Sequence, residues 1–213
     1  MGTNRTHGYS ESRTVEPREI LHAMTAVEGM FLPGGIVVDD TAADGGNTDY
    51  THEIREGWLM GQINASKKCV PLKRTRLDAA AAGATEITVD DASAFAVGDT
   101  ITVGSATGQT ISAINYATGV ITLAAAVAQA EDAAVHAEDG SETFIGILGQ
   151  FVDLNDEDAN KIDFVGASLY VKGQFKYGKL LGDVDALIAH AQANYAVHAL
   201  SDVQIWDGNV RKF

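Results

Sequence analysis

The stretch KIDFVGASLYVKGQFKYGKL, residues 161 to 180, decides the fold of this chain. From Leu169 to Tyr177 every second residue is apolar or glycine, and Lys172 and Lys176 fall on the positions between them. Successive side chains of a β-strand point to opposite faces of the sheet. The segment therefore predicts a strand with one apolar face and one face that presents the lysines.

Three further segments predict strands of the same β-rich domain. They are IREGWLMGQI at residues 54 to 63, ETFIGILGQFVDL at 142 to 154 and ALSDVQIWDG at 199 to 208. We expect residues 54–77 and 141–213 to form one discontinuous, β-rich core domain. The fold class is mainly β.

One helix is predicted before the last strand, over about residues 183 to 198. Asp183 follows Gly182 and is a suitable N-cap, and Asp185 places negative charge in the first turn. Apolar residues recur at helical spacing and form one stripe: Val184, Leu187, Ile188, Ala191 and Tyr195.

Residues 78–140 differ in composition from the segments around them. From Leu77 to Asn160 there is no Lys or Arg, and DAAAAGATEI opens a block rich in Ala, Thr and Gly. Short alternating runs such as EITVDD, DTITVG, QTISAI and GVITLAAAV are separated by Gly, Asp and Asn clusters. We expect an inserted acidic module of four or five strands, barrel-like or sandwich-like.

Residues 1–53 are predicted to be an N-terminal arm that is polar and partly extended. Pro17 favours a short helix over about residues 17 to 27. MFLPGGIVV, residues 30 to 38, then places an apolar run between two polar stretches. This run either forms an edge of the core or docks on another protein by strand addition. Its candidate contact residues are Met30, Phe31, Leu32, Ile36 and Val37.

Composition excludes several classes of function. The net charge of −14 argues against a nucleic-acid surface, because phosphate binding needs clustered Lys and Arg. No apolar run approaches the roughly 20 residues of a membrane-spanning helix. The single cysteine, Cys69, permits no internal disulfide, which fits a reducing cytoplasm. No nucleophile elbow, phosphate loop or metalloprotease motif occurs, so we predict neither an enzyme nor a cofactor.

The acidic stretch DLNDEDANKID, residues 153 to 163, resembles a calcium loop in composition only. An EF-hand loop needs Gly at its sixth position and a bidentate acid at its twelfth. Counted from Asp153, these positions hold Asp158 and Phe164. His190 and His198 are eight residues apart, whereas two ligands one helical turn apart need a spacing of four. We therefore predict a solvated polar turn at 153–163 and no metal site.

The ordered set of core segments resembles the lambda-type head decoration proteins of tailed phages. The elements that carry the resemblance are WLMG at 58–61, IGIL at 145–148, the 153–163 turn, YVKGQF at 170–175 and the helix. The resemblance spans about 54 to 77 and 141 to 206. The inserted module and the longer N-terminal region depart from the shortest members of that family.

The resemblance implies a homotrimer that binds the major capsid protein on the outside of an assembled head, at three-fold or quasi-three-fold positions. It also implies an N-terminal arm that becomes ordered on contact with the shell. On this interpretation the protein stabilises the capsid and is part of the virion. The 153–163 turn would face solvent and help keep a coated particle soluble.

Two other classes of function stay open at this stage. One is another virion structural protein, such as a tail or minor head protein. The other is a surface carbohydrate-binding module, although the insert contains only Phe95 and Tyr116 as aromatic residues.

Overall fold

The computed structural model describes residues 29–194, 203–207 and 210–211, and in these ranges the chain is mainly β, as predicted. The first six strands are β1 (Met30–Phe31), β2 (Ile36–Val38), β3 (Glu53–Ile54), β4 (Leu59–Gln62), β5 (Cys69–Pro71) and β6 (Arg74–Arg76). Five follow in the predicted module: β7 (Ala81–Thr88), β8 (Thr100–Val103), β9 (Ala106–Asn115), β10 (Val120–Gln129) and β11 (Ala134–Ala137). The remainder are β12 (Phe144–Leu148), β13 (Val152–Asp153), β14 (Phe164–Ala167), β15 (Leu169–Lys176), a 3-10 turn (Tyr177–Lys179), α1 (Val184–Asn194), β16 (Val203–Asp207) and β17 (Val210–Arg211).

A nine-stranded sheet joins the segments that flank the module. Its order is β14-β2-β5-β4-β12-β15-β16-β17, and β1 pairs with β15 outside this path. In β4, Met60 lies opposite Gly146 of β12, and Ile147 of β12 lies opposite Tyr170 of β15. Strands that are far apart in sequence are therefore direct neighbours in one sheet.

Both faces of this sheet are covered. Leu59 and Met60 are adjacent in sequence but pack into different core clusters, and so do Ile147 and Leu148. Because neighbouring side chains of a strand point to opposite faces, the two clusters lie on opposite sides of the sheet. Burial on both faces explains why IGIL is continuously apolar.

The structure corrects two predicted strands. The single strand expected over residues 54–63 is two strands, because Gly57 turns the chain with a φ of +91° and packs against the carbonyl of Lys179. The single strand expected over 142–154 is also two, since β12 ends at Leu148 and β13 leaves the sheet to pair with β3.

The predicted single apolar face of β15 is wrong in part. Leu169 and Val171 pack in one core cluster, whereas Phe175 packs in the other, beside α1. Lys172 and Lys176 are exposed, as the pattern predicts. Because the sheet is covered on both sides, an apolar residue of β15 is buried on either face.

The six-stranded sheet of residues 74–137 follows the order β6-β11-β8-β9-β10-β7. A backbone bridge between Leu77 and Val89 links the two ends of this order, so the sheet curls into a barrel-like unit. Its core is built around Phe95 and includes Ile101, Ile111 and Ile121.

The predicted helix and last strand are confirmed in the described residues. Asp183 caps α1, since its Oδ1 accepts a hydrogen bond from the Ala186 amide at 2.8 Å. The other oxygen of Asp183 accepts a bond from the Thr75 hydroxyl of β6 at 2.8 Å, which ties the helix to the barrel-like unit. The predicted helix over 17–27 and residues 195–198 of the predicted second helix lie outside the described residues.

Candidate docking surface

The apolar run in the predicted arm is divided between core and surface. Ile36 and Val38 of β2 are buried between β14 and β5, and Val37 is half-buried. Met30, Phe31 and Leu32 are instead 52%, 44% and 39% exposed. The core alternative therefore holds for Ile36 and Val38, and Met30, Phe31 and Leu32 remain candidates for docking.

The three exposed residues are held at the edge of the sheet by backbone pairing. Met30 lies opposite Lys172 and Phe31 opposite Tyr170, and the Leu32 amide donates to the Leu169 carbonyl at 2.8 Å. A glycine turn at 34–35 then carries the chain to β2. Unlike β2, which lies between two strands, β1 pairs only with β15 in the described part of the chain.

Aromatic packing fixes the side chains of this edge. The Phe31 ring stacks on Tyr170 with 4.0 Å between centroids, and Tyr170 meets buried Phe175 edge-on at 5.6 Å. Such pairs add about 0.5–1.5 kcal/mol beyond the area that they bury. Met30, Phe31 and Leu32, supported by Tyr170, are called the β1 surface below. Sequence reasoning missed Tyr170, because no local pattern reveals its pairing with Phe31.

The 153–163 turn is held together by its own polar groups. Asp156 Oδ1 accepts hydrogen bonds from the amides of Asp158 at 2.9 Å and Asn160 at 2.8 Å. Bonds from the side chain and backbone of Asn160 lower the pKa of Asp156. Leu154 anchors the turn in the core, while residues 157 to 162 are exposed. The carboxylate at the centre of the turn therefore binds its own backbone.

In the described residues, two groups of three side chains bring possible metal-ligand atoms close together. One consists of His52, Glu53 and Asp153, and the other of Asp39, Asp40 and Asp163. The second already contains an ammonium group, since Lys68 Nζ lies 2.8 Å from Asp163 and 3.3 Å from Asp39. Burial would raise the pKa of Asp39, but hydrogen bonds from Thr41 and the pair with Lys68 outweigh it and lower the pKa. One ammonium group therefore offsets part of the negative charge of these three carboxylates.

Cys69 is unsuited to nucleophilic chemistry. It is buried in the sheet, and burial raises the pKa of its thiol to about 11. The thiolate is the reactive form. Cys69 therefore acts as a small apolar core residue.

A cleft of about 510 Å³ lies beside the junction of the barrel-like unit and α1. Its lining includes Arg76 and four acidic residues: Asp90, Asp91, Asp183 and Asp185. Burial raises the pKa of Asp90, Asp183 raises it further, and Arg76 opposes both. The oxygens of Asp183 serve the helix cap and Thr75, so at least this carboxylate has a structural role.

No protein-family model matches the chain, and no curated protein matches it. Within the described residues, no helix is both long enough and apolar enough to cross a membrane.

Proposed function

We propose that this chain is a phage capsid decoration protein. It binds the outside of an assembled head at three-fold or quasi-three-fold positions and stabilises the shell. Its partners are the major capsid protein and two further copies of itself in a homotrimer. It acts without a cofactor, as part of the virion.

The observation that carries this proposal is the β1 surface. Met30, Phe31 and Leu32 are three consecutive large apolar residues with exposed side chains, and within the described ranges β1 pairs only with β15. Contiguous exposed apolar residues mark interaction sites, and an open strand edge accepts a further strand. The β1 surface therefore fits an extended segment of a shell subunit.

The arrangement of the core supports the proposal. The segments that resemble decoration proteins form adjacent strands, since β4, β12 and β15 are neighbours in the sheet. Helix α1 packs on the face that carries Leu59, Ile147 and Phe175. The resemblance therefore extends over one compact unit of the chain.

The mechanism of stabilisation is cementing. A trimer offers three copies of the β1 surface, and linked contacts raise avidity even when each is modest. A protein that binds the assembled lattice but not free subunits stabilises the lattice by mass action. At 100 times its dissociation constant, this contribution is about 2.7 kcal/mol per site.

The test is binding to empty expanded heads of the source phage, measured by co-sedimentation. We expect the full chain to bind. The variant Met30→Ser/Phe31→Ser/Leu32→Ser should bind at least about tenfold more weakly, because a tenfold loss of affinity needs only about 1.4 kcal/mol of binding free energy. The control is Tyr50→Ser/Val97→Ser, which removes exposed apolar side chains elsewhere and should bind like the full chain.

Failure of the unaltered chain to bind such heads would refute the proposal. Equal binding by the β1 variant, with circular dichroism showing a native fold, would remove the β1 surface from it.

A further inference from the structure

Three side chains with metal-ligand atoms meet where β13 pairs with β3. The imidazole Nε2 of His52 lies 3.9 Å from Glu53 Oε1 and 3.8 Å from Asp153 Oδ1. One ligand atom from each of the three residues lies within 4.8 Å of the other two. His52, Glu53 and Asp153 are called the β3–β13 trio below.

The backbone holds this trio in place. Asp153 lies directly opposite Glu53 where the two strands pair, and the Leu154 amide donates to the His52 carbonyl at 3.0 Å. The side chains of Leu154 and Ile54, which follow the ligands on each strand, are fully buried. The trio is therefore carried by backbone that is fixed in the core, and such a frame orients ligands before an ion arrives.

The charges of the trio favour a cation between its members. Glu53 and Asp153 are like charges on directly opposite residues, an arrangement that is unfavourable in a sheet. Glu53 is only 1% exposed, and buried charges in proteins are paired or coordinate metals. The side chains of His52 and Asp153 are 28% and 48% exposed, so an ion can reach the trio from solvent.

We propose that the β3–β13 trio binds one divalent transition-metal ion of the zinc type. An imidazole nitrogen together with carboxylate oxygens suits zinc, whereas magnesium and calcium take oxygen ligands. Three protein ligands leave the fourth position of a tetrahedral zinc ion to water. Ligand atoms about 2.0–2.2 Å from such an ion are about 3.3–3.6 Å apart, so the two separations from His52 close by a few tenths of an ångström.

The ion clamps together two segments that are far apart in sequence. Strands β3 and β13 pair only with each other in the described part of the chain, and β13 leads into the 153–163 turn. An ion that binds the folded chain and not the unfolded chain stabilises the fold by mass action. Sequence spacing did not reveal this site, because strand pairing alone brings His52 and Asp153 together.

The inference goes beyond shell binding, because the trio shares no residue with the β1 surface. The experiment is isothermal titration calorimetry on the full chain without a histidine tag, after treatment with EDTA and removal of the chelator. Zinc chloride and calcium chloride are the probes. We expect one zinc ion per chain, and calcium should bind at least about tenfold more weakly because it does not favour an imidazole ligand.

His52→Ala and Asp153→Asn should each weaken zinc binding at least about tenfold. The matched controls are His136→Ala and Asp158→Asn, which remove a histidine and an acid of the 153–163 turn outside the trio and should bind zinc like the unaltered chain. Circular dichroism checks that each variant is folded. His52→Gln, which keeps a polar side chain without the imidazole, is the second variant at that position.

Thermal unfolding gives an independent measurement. Zinc at about 100 times its dissociation constant should raise the Tm of the unaltered chain by about 5 °C or more, and it should not raise the Tm of His52→Ala.

An unaltered chain that neither binds zinc nor gains thermal stability from it would overturn the inference. Zinc binding that survives both His52→Ala and Asp153→Asn would overturn it as well. Loss of binding in Asp163→Asn but not in His52→Ala would place the ion at Asp39, Asp40 and Asp163 instead. Binding to heads is measured separately, so either proposal can fail without the other.

Discussion

At the scale of single residues, Gly61 marks a place where two backbones meet too closely for a side chain. A Cβ atom there would clash with the carbonyl oxygen of Ser141. This contact joins β4 to the segment that returns from the barrel-like unit. Because a backbone oxygen cannot swing aside, the strands themselves must separate to admit a methyl group.

We expect Gly61→Ala to lower the free energy of unfolding by about 2 kcal/mol or more, as overpacking of a filled interior does. Urea unfolding followed by circular dichroism measures the change. Gly178→Ala is the control, because nothing lies within 4 Å of the corresponding Cβ position. Equal stability of the two variants would show that the Gly61 contact is looser than described.

Asp39 makes stability depend on pH. Hydrogen bonds from Thr41 and the pair with Lys68 hold its pKa below the usual value in the folded chain. A carboxyl group of this kind stabilises the fold above its unfolded pKa, about 3.9, and loses that contribution as the pH falls through the folded pKa.

We therefore expect Asp39→Asn to cost about 1–2 kcal/mol at pH 7. The difference from the unaltered chain should shrink below about pH 4. Chemical unfolding at pH 7, 5 and 3.5 measures it. A difference that stays constant down to the lowest pH would contradict this role.

At the scale of elements, α1 and β6 are coupled through one carboxylate. Asp183 caps the helix with one oxygen and accepts the Thr75 hydroxyl with the other, and both residues are buried. The Thr75 oxygen also accepts a bond from the Asp91 amide at 3.1 Å. Three segments therefore meet at one polar contact.

A double-mutant cycle of Thr75→Val and Asp183→Ala should give a coupling energy of about 1 kcal/mol, since contacting residues are not additive. Thr102→Val with Asp183→Ala is the control cycle, because Thr102 bonds to Glu138 instead. That control should be additive within about 0.5 kcal/mol. Additivity in the Thr75 cycle would mean that the helix and β6 are independent.

Local sequence patterns were sufficient to predict the helix and strands whose formation depends on residues close together in the sequence. Asp183 and the apolar spacing after it predict α1, and the alternating runs after Leu77 predict four or five strands, of which the structure has five. The splits at Gly57 and Leu148 could not be predicted, because they depend on distant partners: the Lys179 carbonyl and strand β3. The same holds for the apolar run at 30–38, whose burial depends on which strands flank each part.

At the scale of the whole molecule, the barrel-like unit is fixed to the nine-stranded sheet at several points. The buried Lys73 ammonium binds Asp99 at 2.7 Å, and the Tyr116 ring packs on Gly45. Ala94 from the barrel segment belongs to a core cluster of the sheet. Because the two units share buried contacts, we expect them to unfold together.

Differential scanning calorimetry should show one transition whose calorimetric and van't Hoff enthalpies agree. Tryptophan fluorescence, which includes Trp58 in the sheet core, should change at the same temperature as far-ultraviolet circular dichroism. Two separate transitions would show that the barrel-like unit is an independent domain.

Charge is also unevenly distributed over the molecule. The fourteen acidic residues between Leu77 and Asn160 account for the net charge of −14, because the rest of the chain has fifteen acidic residues and fifteen Lys or Arg. At physiological ionic strength, charges more than about 8 Å from a contact are largely screened. The neutral remainder of the chain, which includes the β1 surface, can therefore bind a partner with little repulsion from the acidic stretch.

The most direct test of capsid decoration is a cryo-electron microscopy map of expanded heads incubated with the full chain. We predict density for three copies at each three-fold or quasi-three-fold position, with Met30, Phe31 and Leu32 against the shell and residues 78–140 directed away from it. Heads that show no added density at saturating protein would contradict the proposed function. Added density in which residues 30–32 face solvent would contradict the proposed docking surface.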